Sequence, residues 1–167
     1  TSGSMKGGAE TVAKATVLEA MRTAHAQHRP CHVFAFSGPD ELVEMELDVG
    51  HKGIDSLIRF LGQTFSGGTE ISGPLERVLS KLEDQRWRLA DLLIASDGEF
   101  GVSTDLAARL DAAKRDLGLR VQGVLVGDRE TNGFRTVADH ICAIRDWRRF
   151  GGSGAGTHRT DSVKNLP

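Results

Sequence analysis

The sequence has no long apolar run, almost no net charge, and only two cysteines. A bilayer-spanning helix needs about 18–20 consecutive apolar residues, and no stretch comes near that length. A formal charge of −2 removes the electrostatic reason to expect nucleic acid or an anionic membrane surface as partner. Cys31 and Cys142 lack the close spacing of a soft-metal site. Each lies in an apolar, strand-like run, which reads as a pair of buried thiols kept reduced in a cytoplasmic protein. No secretory signal pattern is visible, and no internal repeat. A P-loop, a Gly-x-Ser-x-Gly elbow and an Asp-x-Asp pair are all missing, so the common signatures of phosphoryl and acyl transfer are not there.

What is there is a patterned chain of 167 residues, 39% hydrophobic and 26% charged. A single domain of that size buries about two-thirds of its unfolded surface. Ala13, Val17, Ala20, Met21 and Ala24 recur at three- and four-residue steps, predicting a helix over Glu10–His28 that Pro30 ends. Cys31–Ser37 reads as a mostly buried strand. Gly38-Pro39-Asp40 is turn chemistry, and in Glu41–Asp48 Val43, Met45 and Leu47 alternate with Leu42, Glu44 and Glu46. A short turn followed by an alternating strand predicts an antiparallel edge hairpin.

Ile54, Leu57, Ile58, Leu61 and Phe65 mark a second helix, broken by Ser66-Gly67-Gly68-Thr69. Ile71, Leu75, Val78, Leu79 and Leu82 mark a third, with Pro74 in its first turn, where a missing N–H costs little. Ala90–Asp97 is an apolar strand with polar residues at its end. A fourth helix carries Leu106, Leu110, Ala113 and Leu117 and closes on Gly118. Then follow a strand over Arg120–Gly127, a short helix over Phe134–Asp139 and a last strand over His140–Trp147. The alternation predicts an α/β fold, a doubly wound, mostly parallel sheet with one antiparallel edge strand. The domain is expected over residues 1–150, with 151–167 a disordered tail or linker.

In such a sheet ligands gather beyond the carboxyl ends of the strands, and three stretches point there. Thr1-Ser2-Gly3-Ser4-Met5 puts two hydroxyls either side of a glycine, just ahead of the first helix. Gly67-Gly68-Thr69 offers a third hydroxyl, and Ser96-Asp97-Gly98 a carboxylate at a strand end. Each alone is ordinary: a turn, a helix cap, a strand-ending Asp-Gly. Glu70 and Glu99 adjoin these positions and read first as solvated loop carboxylates. His25 and His28, with His32 nearby in sequence, have no partner at fitting metal spacing and read as a solvated helix end, and Arg145, Arg148 and Arg149 around Trp147 read as a soluble terminus.

Taken in order, the three stretches resemble the von Willebrand factor A (VWA) domain and its metal-ion-dependent adhesion site. In that family an Asp-x-Ser-x-Ser loop follows the first strand, a threonine comes from a later loop, and an aspartate ends a central strand. The matching positions are Ser2, Ser4, Thr69 and Asp97. The family's first aspartate would precede Thr1, so the resemblance implies a first central strand absent from this chain, which would be N-terminally truncated and correspondingly less stable. The resemblance covers about Thr1 to Trp147. The Ala-rich first helix and the run from Arg59 to Thr69 are most similar to ViaA/CoxE-type intracellular VWA proteins, which work with MoxR-class AAA+ ATPases.

The implied function is a noncatalytic, Mg²⁺-dependent protein-binding module, with Mn²⁺ as the alternative ion. Neutral hydroxyls would hold the ion without cancelling its charge, leaving it receptive to an Asp or Glu carboxylate of a partner protein. Two rival readings remain: a metal-dependent phosphohydrolase using Asp97, and a metal-free interaction module.

Overall fold

The computed structural model describes residues 8–36, 42–47, 51–62, 70–127 and 132–145, with side chains left aside at 47, 51–54 and 56. The turn at Gly38-Pro39-Asp40 and the expected tail over 151–167 lie outside them.

Among the described residues five α-helices and five strands follow the predicted order: α1 (Gly8–Ala26), β1 (Cys31–Phe36), β2 (Leu42–Leu47), α2 (His51–Gly62), α3 (Ser72–Lys81), β3 (Asp91–Ser96), α4 (Thr104–Leu117), β4 (Arg120–Val126), α5 (Asn132–Val137) and β5 (His140–Ile144). The fold is α/β, with a parallel three-stranded sheet β3-β4-β5 and an antiparallel pair β1-β2. The expected edge hairpin is present in the register Cys31↔Leu47 to Phe36↔Leu42. Its alternation does what the sequence promised. Val43 and Met45 pack with Val33, Ala35 and Phe60, while Glu44 and Glu46 on the other face meet Lys81 and Arg86.

Helices cover both faces of the strands. On one face Ala9 and Val12 of α1 pack on Ala95, Val124 and Val126, and Val17 and Met21 further along the same helix pack on Val33 and Ala35 with Phe60 of α2. On the other face Ile71, Leu75, Leu106, Leu110 and Phe134 close over Ile94, Val121 and Leu125. The period of two along β4 explains the division: Val121 and Leu125 point to one layer, Val124 and Val126 to the other. α1 thus packs on strands of both sheets.

Directions follow from the ends. The start of α1 packs at the carboxyl-end residues Ala95 and Val126. Just beyond its other end, Arg29 donates to Asp91 Oδ2 at 2.6 Å and to the Leu89 carbonyl at 3.1 Å, at the beginning of β3. α1 therefore runs opposite to β3, and β1, which follows Arg29, starts at the same end of the molecule as β3.

Several expectations need correction. α1 stops at Ala26, two residues short of His28, because His28 takes a left-handed backbone (φ 54°) and Arg29 N–H bonds back to the Ala24 carbonyl at 2.8 Å. That is the Schellman closure glycine usually supplies, and it precedes Pro30. Both cysteines are free, but only Cys31 is partly buried; Cys142 is exposed on the edge strand β5. Burial pushes the Cys31 thiol up. His25 and His28 are exposed at the end of α1, while His32 lies in the expected strand, inside β1, with its side chain 7% exposed, Nε2 2.9 Å from Glu44 Oε1 and its ring edge-on to Trp87. Burial and the neighbouring Lys81 hold its pKa below the ordinary value, against the opposing pull of Glu44. α4 closes as expected on Gly118, in the left-handed region at φ 69°.

Candidate functional site

Ser96, the last residue of β3, and Asp97 just after it are 4% and 6% exposed, the only buried polar or charged residues among those described. β3 delivers them there because its preceding residues are apolar and held by the ladder to β4, from Asp91↔Arg120 to Ser96↔Leu125. The Asp97 carboxylate Oδ1 accepts from the Ser96 hydroxyl at 3.3 Å and from the Glu99 N–H at 3.4 Å. The Ser96 hydroxyl in turn accepts the Gly98 N–H at 3.1 Å. Gly98 takes φ 82°, a left-handed turn that glycine enters without a Cβ penalty. The result is a carboxylate fixed just beyond the carboxyl end of β3, close to where ligands bind in open α/β sheets.

Ser2, Ser4 and Thr69 lie outside the described residues, so of the four predicted ligands Asp97 alone has a described position. The segments that adjoin the other three begin at the same end of the sheet. α1 starts beside Ala95 and Val126, and Ile71 at the start of α3 lines a cavity together with Phe36 and Ser96. Glu70 acts locally, its Oε1 accepting the Ser72 N–H at 2.8 Å at the start of α3. The hydrogen bonds from Ser72 hold its carboxyl below the usual range. Glu99 is exposed. Asp128, Trp147, Arg148 and Arg149 lie outside the described residues.

Among the described residues no group of three or more His, Cys, Asp or Glu side chains could hold a metal ion. A site built on one carboxylate and several hydroxyls would not form such a group, and oxygen-only donors of that kind suit a hard cation such as Mg²⁺. Nor, among the described residues, is any helix long and apolar enough to cross a membrane.

A family model for the von Willebrand factor type A domain matches residues 1–99, a span running from the Ser-Gly-Ser loop through Asp97 and covering more than half of the chain. The chain belongs to the von Willebrand factor type A family. No solved structure matches it significantly. The matched span of this VWA domain ends two residues after Asp97, so β1 to β3 and all four predicted ligand positions fall within it.

The sequence did not disclose the ion-pair cluster at the opposite end of the sheet. Asp91 Oδ2 meets Arg29 at 2.6 Å and Asp91 Oδ1 meets Arg120 at 2.8 Å. Burial works to raise the Asp91 carboxyl, but the hydrogen bonds from the two guanidinium groups outweigh it and hold it below its ordinary value. Positions 29, 91 and 120 are far apart in the chain, and only the pairing of β3 with β4 and the close of α1 bring them together.

Proposed function

We propose that this VWA domain is a noncatalytic, Mg²⁺-dependent protein-binding module in which Ser2, Ser4, Thr69 and Asp97 hold the ion. The observation that carries the reading is Asp97, a buried carboxylate at the carboxyl end of β3 and inside the span matched by the family model. It is supported by the starts of α1 and α3 at that same end of the sheet, since Ser4 and Thr69 adjoin those helices in sequence. Mg²⁺ takes about six oxygens, and a set with a single carboxylate leaves it net positive. Its contribution when bound is a site for an acidic side chain of a partner protein. The chain's own residues hold and orient: Ser96 and the Glu99 N–H fix Asp97, and Gly98 lets the loop turn away. The Ala-rich first helix and the Arg59–Thr69 run support a ViaA/CoxE-like adaptor for a MoxR-class AAA+ ATPase in the cytoplasm.

Titration of the 167-residue chain with Mg²⁺ and with Mn²⁺ by calorimetry tests the site. Saturable binding that Thr69→Ala weakens at least tenfold, with an unchanged melting temperature, is the expected result. Heat of binding that is absent, or identical in Thr69→Ala, would leave a VWA domain that recognises partners without metal. Phosphate release from a phosphoester in added Mg²⁺, abolished by Asp97→Asn, would favour the phosphohydrolase instead.

A further inference from the structure

β2 and β5 are both outer strands, and they are finished differently. β2 carries Glu44 and Glu46, which meet Lys81 at 3.2 Å and Arg86 at 3.7 Å. Charged side chains of this kind keep an edge from adding further strands. β5 bounds the parallel sheet, and among the described residues no strand lies beyond it. Its sequence, His140-Ile141-Cys142-Ala143-Ile144, holds no Lys, Arg, Asp, Glu or Pro. Its register with β4 runs unbroken from Gln122↔His140 to Val126↔Ile144, without a bulge. Ile141 is 43% exposed, and Cys142 and Ala143 are exposed as well. None of the devices that usually block an edge is built into these residues.

The ladder fixes which backbone groups this edge offers. Arg120 N–H donates to the Ala90 carbonyl at 3.1 Å, and Gly127 N–H donates to the Ile144 carbonyl at 3.0 Å. Even-numbered residues of β4 therefore turn their backbone groups to β3, and odd-numbered ones to β5. In a parallel ladder the residue opposite a bonding one points its own groups away. Ile141 and Ala143, opposite Gly123 and Leu125, thus present N–H and C=O outward, while Cys142 and Ile144 bond to β4.

A twofold axis relates two such edges as antiparallel strands in an isologous contact. One register pairs both outward residues of both copies within the strand: Ile141 opposite Ala143 of a second copy, and Ala143 opposite its Ile141. Each of these pairs exchanges both backbone bonds. Cys142 then faces Cys142 of the second copy as a non-hydrogen-bonded pair, with Cα atoms about 4.5 Å apart, a separation that a disulfide can bridge. The same register sets Asp139 opposite Arg145 of the second copy at both ends of the contact. Arg145 is exposed, and the Asp139 side chain stays 37% exposed although it already meets Lys114 at 2.8 Å. Opposite charges therefore flank an uncharged strand, and a formal charge of −2 per chain leaves little repulsion between copies.

We propose that β5 is the contact for a second copy of this chain, an antiparallel β5–β5 pairing centred on Cys142 that makes one continuous sheet, β3-β4-β5-β5-β4-β3. A contact confined to one short strand is small, so the dimer is reversible and depends on concentration. The inference is independent of the metal reading, and its test is run in EDTA.

Sedimentation equilibrium of the 167-residue chain with a thiol reductant should show monomer and dimer in exchange. Ile141→Lys should raise the dissociation constant at least tenfold. Ala143→Pro should do the same while the melting temperature of the dilute monomer stays close to the parent's, because the N–H it removes points outward and not to β4. In the unsubstituted chain, amide exchange at Ile141 and Ala143 should slow at least tenfold as concentration rises, while that at Cys142 and Ile144 stays constant. Diamide in place of the reductant reads the register. Two Cys142 thiols give up two electrons and two protons to the diazene, which becomes a hydrazine, and their disulfide should form at least ten times faster than one from Cys142→Ser combined with Ala143→Cys. A chain that stays monomeric throughout the concentration series would overturn the proposal, as would a dimer in which Ile141 and Ala143 exchange as fast as in the monomer. Protection at those amides that ignores concentration would overturn it too, since the chain itself would then cover the edge. Equal cross-linking from positions 142 and 143 would overturn the register.

Discussion

β4 and β1 are both short apolar strands beneath helices, yet they are buried to very different degrees. β4 lies between β3 and β5, and Val121 and Val126 are 0% and 2% exposed. Among the described residues β1 has one strand neighbour, β2. Only Val33 and Ala35 on the face towards α1 and α2 are fully covered, while Cys31, Phe34 and Phe36 remain half-buried. Helical cover alone does not bury a strand: the lateral neighbours in the sheet close off the remaining solvent. β3 makes the same point within one element, since it is laddered to β4 on one side and lines a cavity with β1 on the other, where Leu93 stays exposed.

The sharpest way to test that contrast is to remove one large side chain from each half. Phe134 is 1% exposed, edge-on to Phe100 with centroids 4.9 Å apart, and Phe134→Ala should cost about 3–5 kcal/mol. Phe60 is 4% exposed but belongs to the smaller cluster beneath the hairpin. Phe60→Ala should stay at or below about 3 kcal/mol, because Phe60 lines a cavity into which its neighbours can relax. Urea midpoints of the two variants measure this directly, and equal losses would break the comparison.

A smaller effect is expected from overfilling the well-packed half. A Cβ at Gly123 of β4 would lie 2.6 Å from the Phe134 ring, so Gly123→Val should cost about 1–3 kcal/mol, read as a lower midpoint without a change in slope. An unchanged midpoint would show that Phe134 can swing aside and that the packing is looser than its burial implies.

Smallest is the contribution of Asp91, which ties the segment leading into β1 to the first residue of β4 through Arg29 and Arg120. Its carboxyl is held below the ordinary value, so the unfolded chain binds the proton first as pH falls. The stabilisation is therefore complete above the unfolded value of about 3.9 and is lost as pH drops through the lower folded one. Partly exposed pairs of this kind contribute on the order of 1 kcal/mol or less. The gap in melting temperature between the parent and Asp91→Asn should be widest near neutral pH and close in acid. A gap that persists at pH 2 would assign the effect to packing instead of charge.

The order of elements was legible because each rests on local pattern. The stripe on α4 and Gly118 behind it, the alternation of Val43 and Met45 with Glu44 and Glu46, and the apolar run into Ser96-Asp97 all appear where periodicity puts them. Less legible was anything decided by distant neighbours. Pro30 drew attention as the end of α1, but His28 turns the chain first. Cys142 has an apolar context and is nonetheless exposed, because β5 is an edge. His32 was legible as part of a strand, but its neighbours Trp87 and Glu44 come from elsewhere in the chain. For the candidate site, Asp97 was recognisable from its strand and its Gly98, but its burial and its bonds to Ser96 and Glu99 were not.

By itself the sequence determined which segments form helices and strands, which face of each is apolar, and which family the chain resembles, because spacing along the chain fixes those properties. Only the tertiary structure decided which strands would be neighbours, that Arg29, Asp91 and Arg120 meet, and that β1 and β3 line one cavity. Ladders, ion pairs and cavities are contacts between residues far apart in the chain, and no local pattern encodes which distant edge lies alongside which.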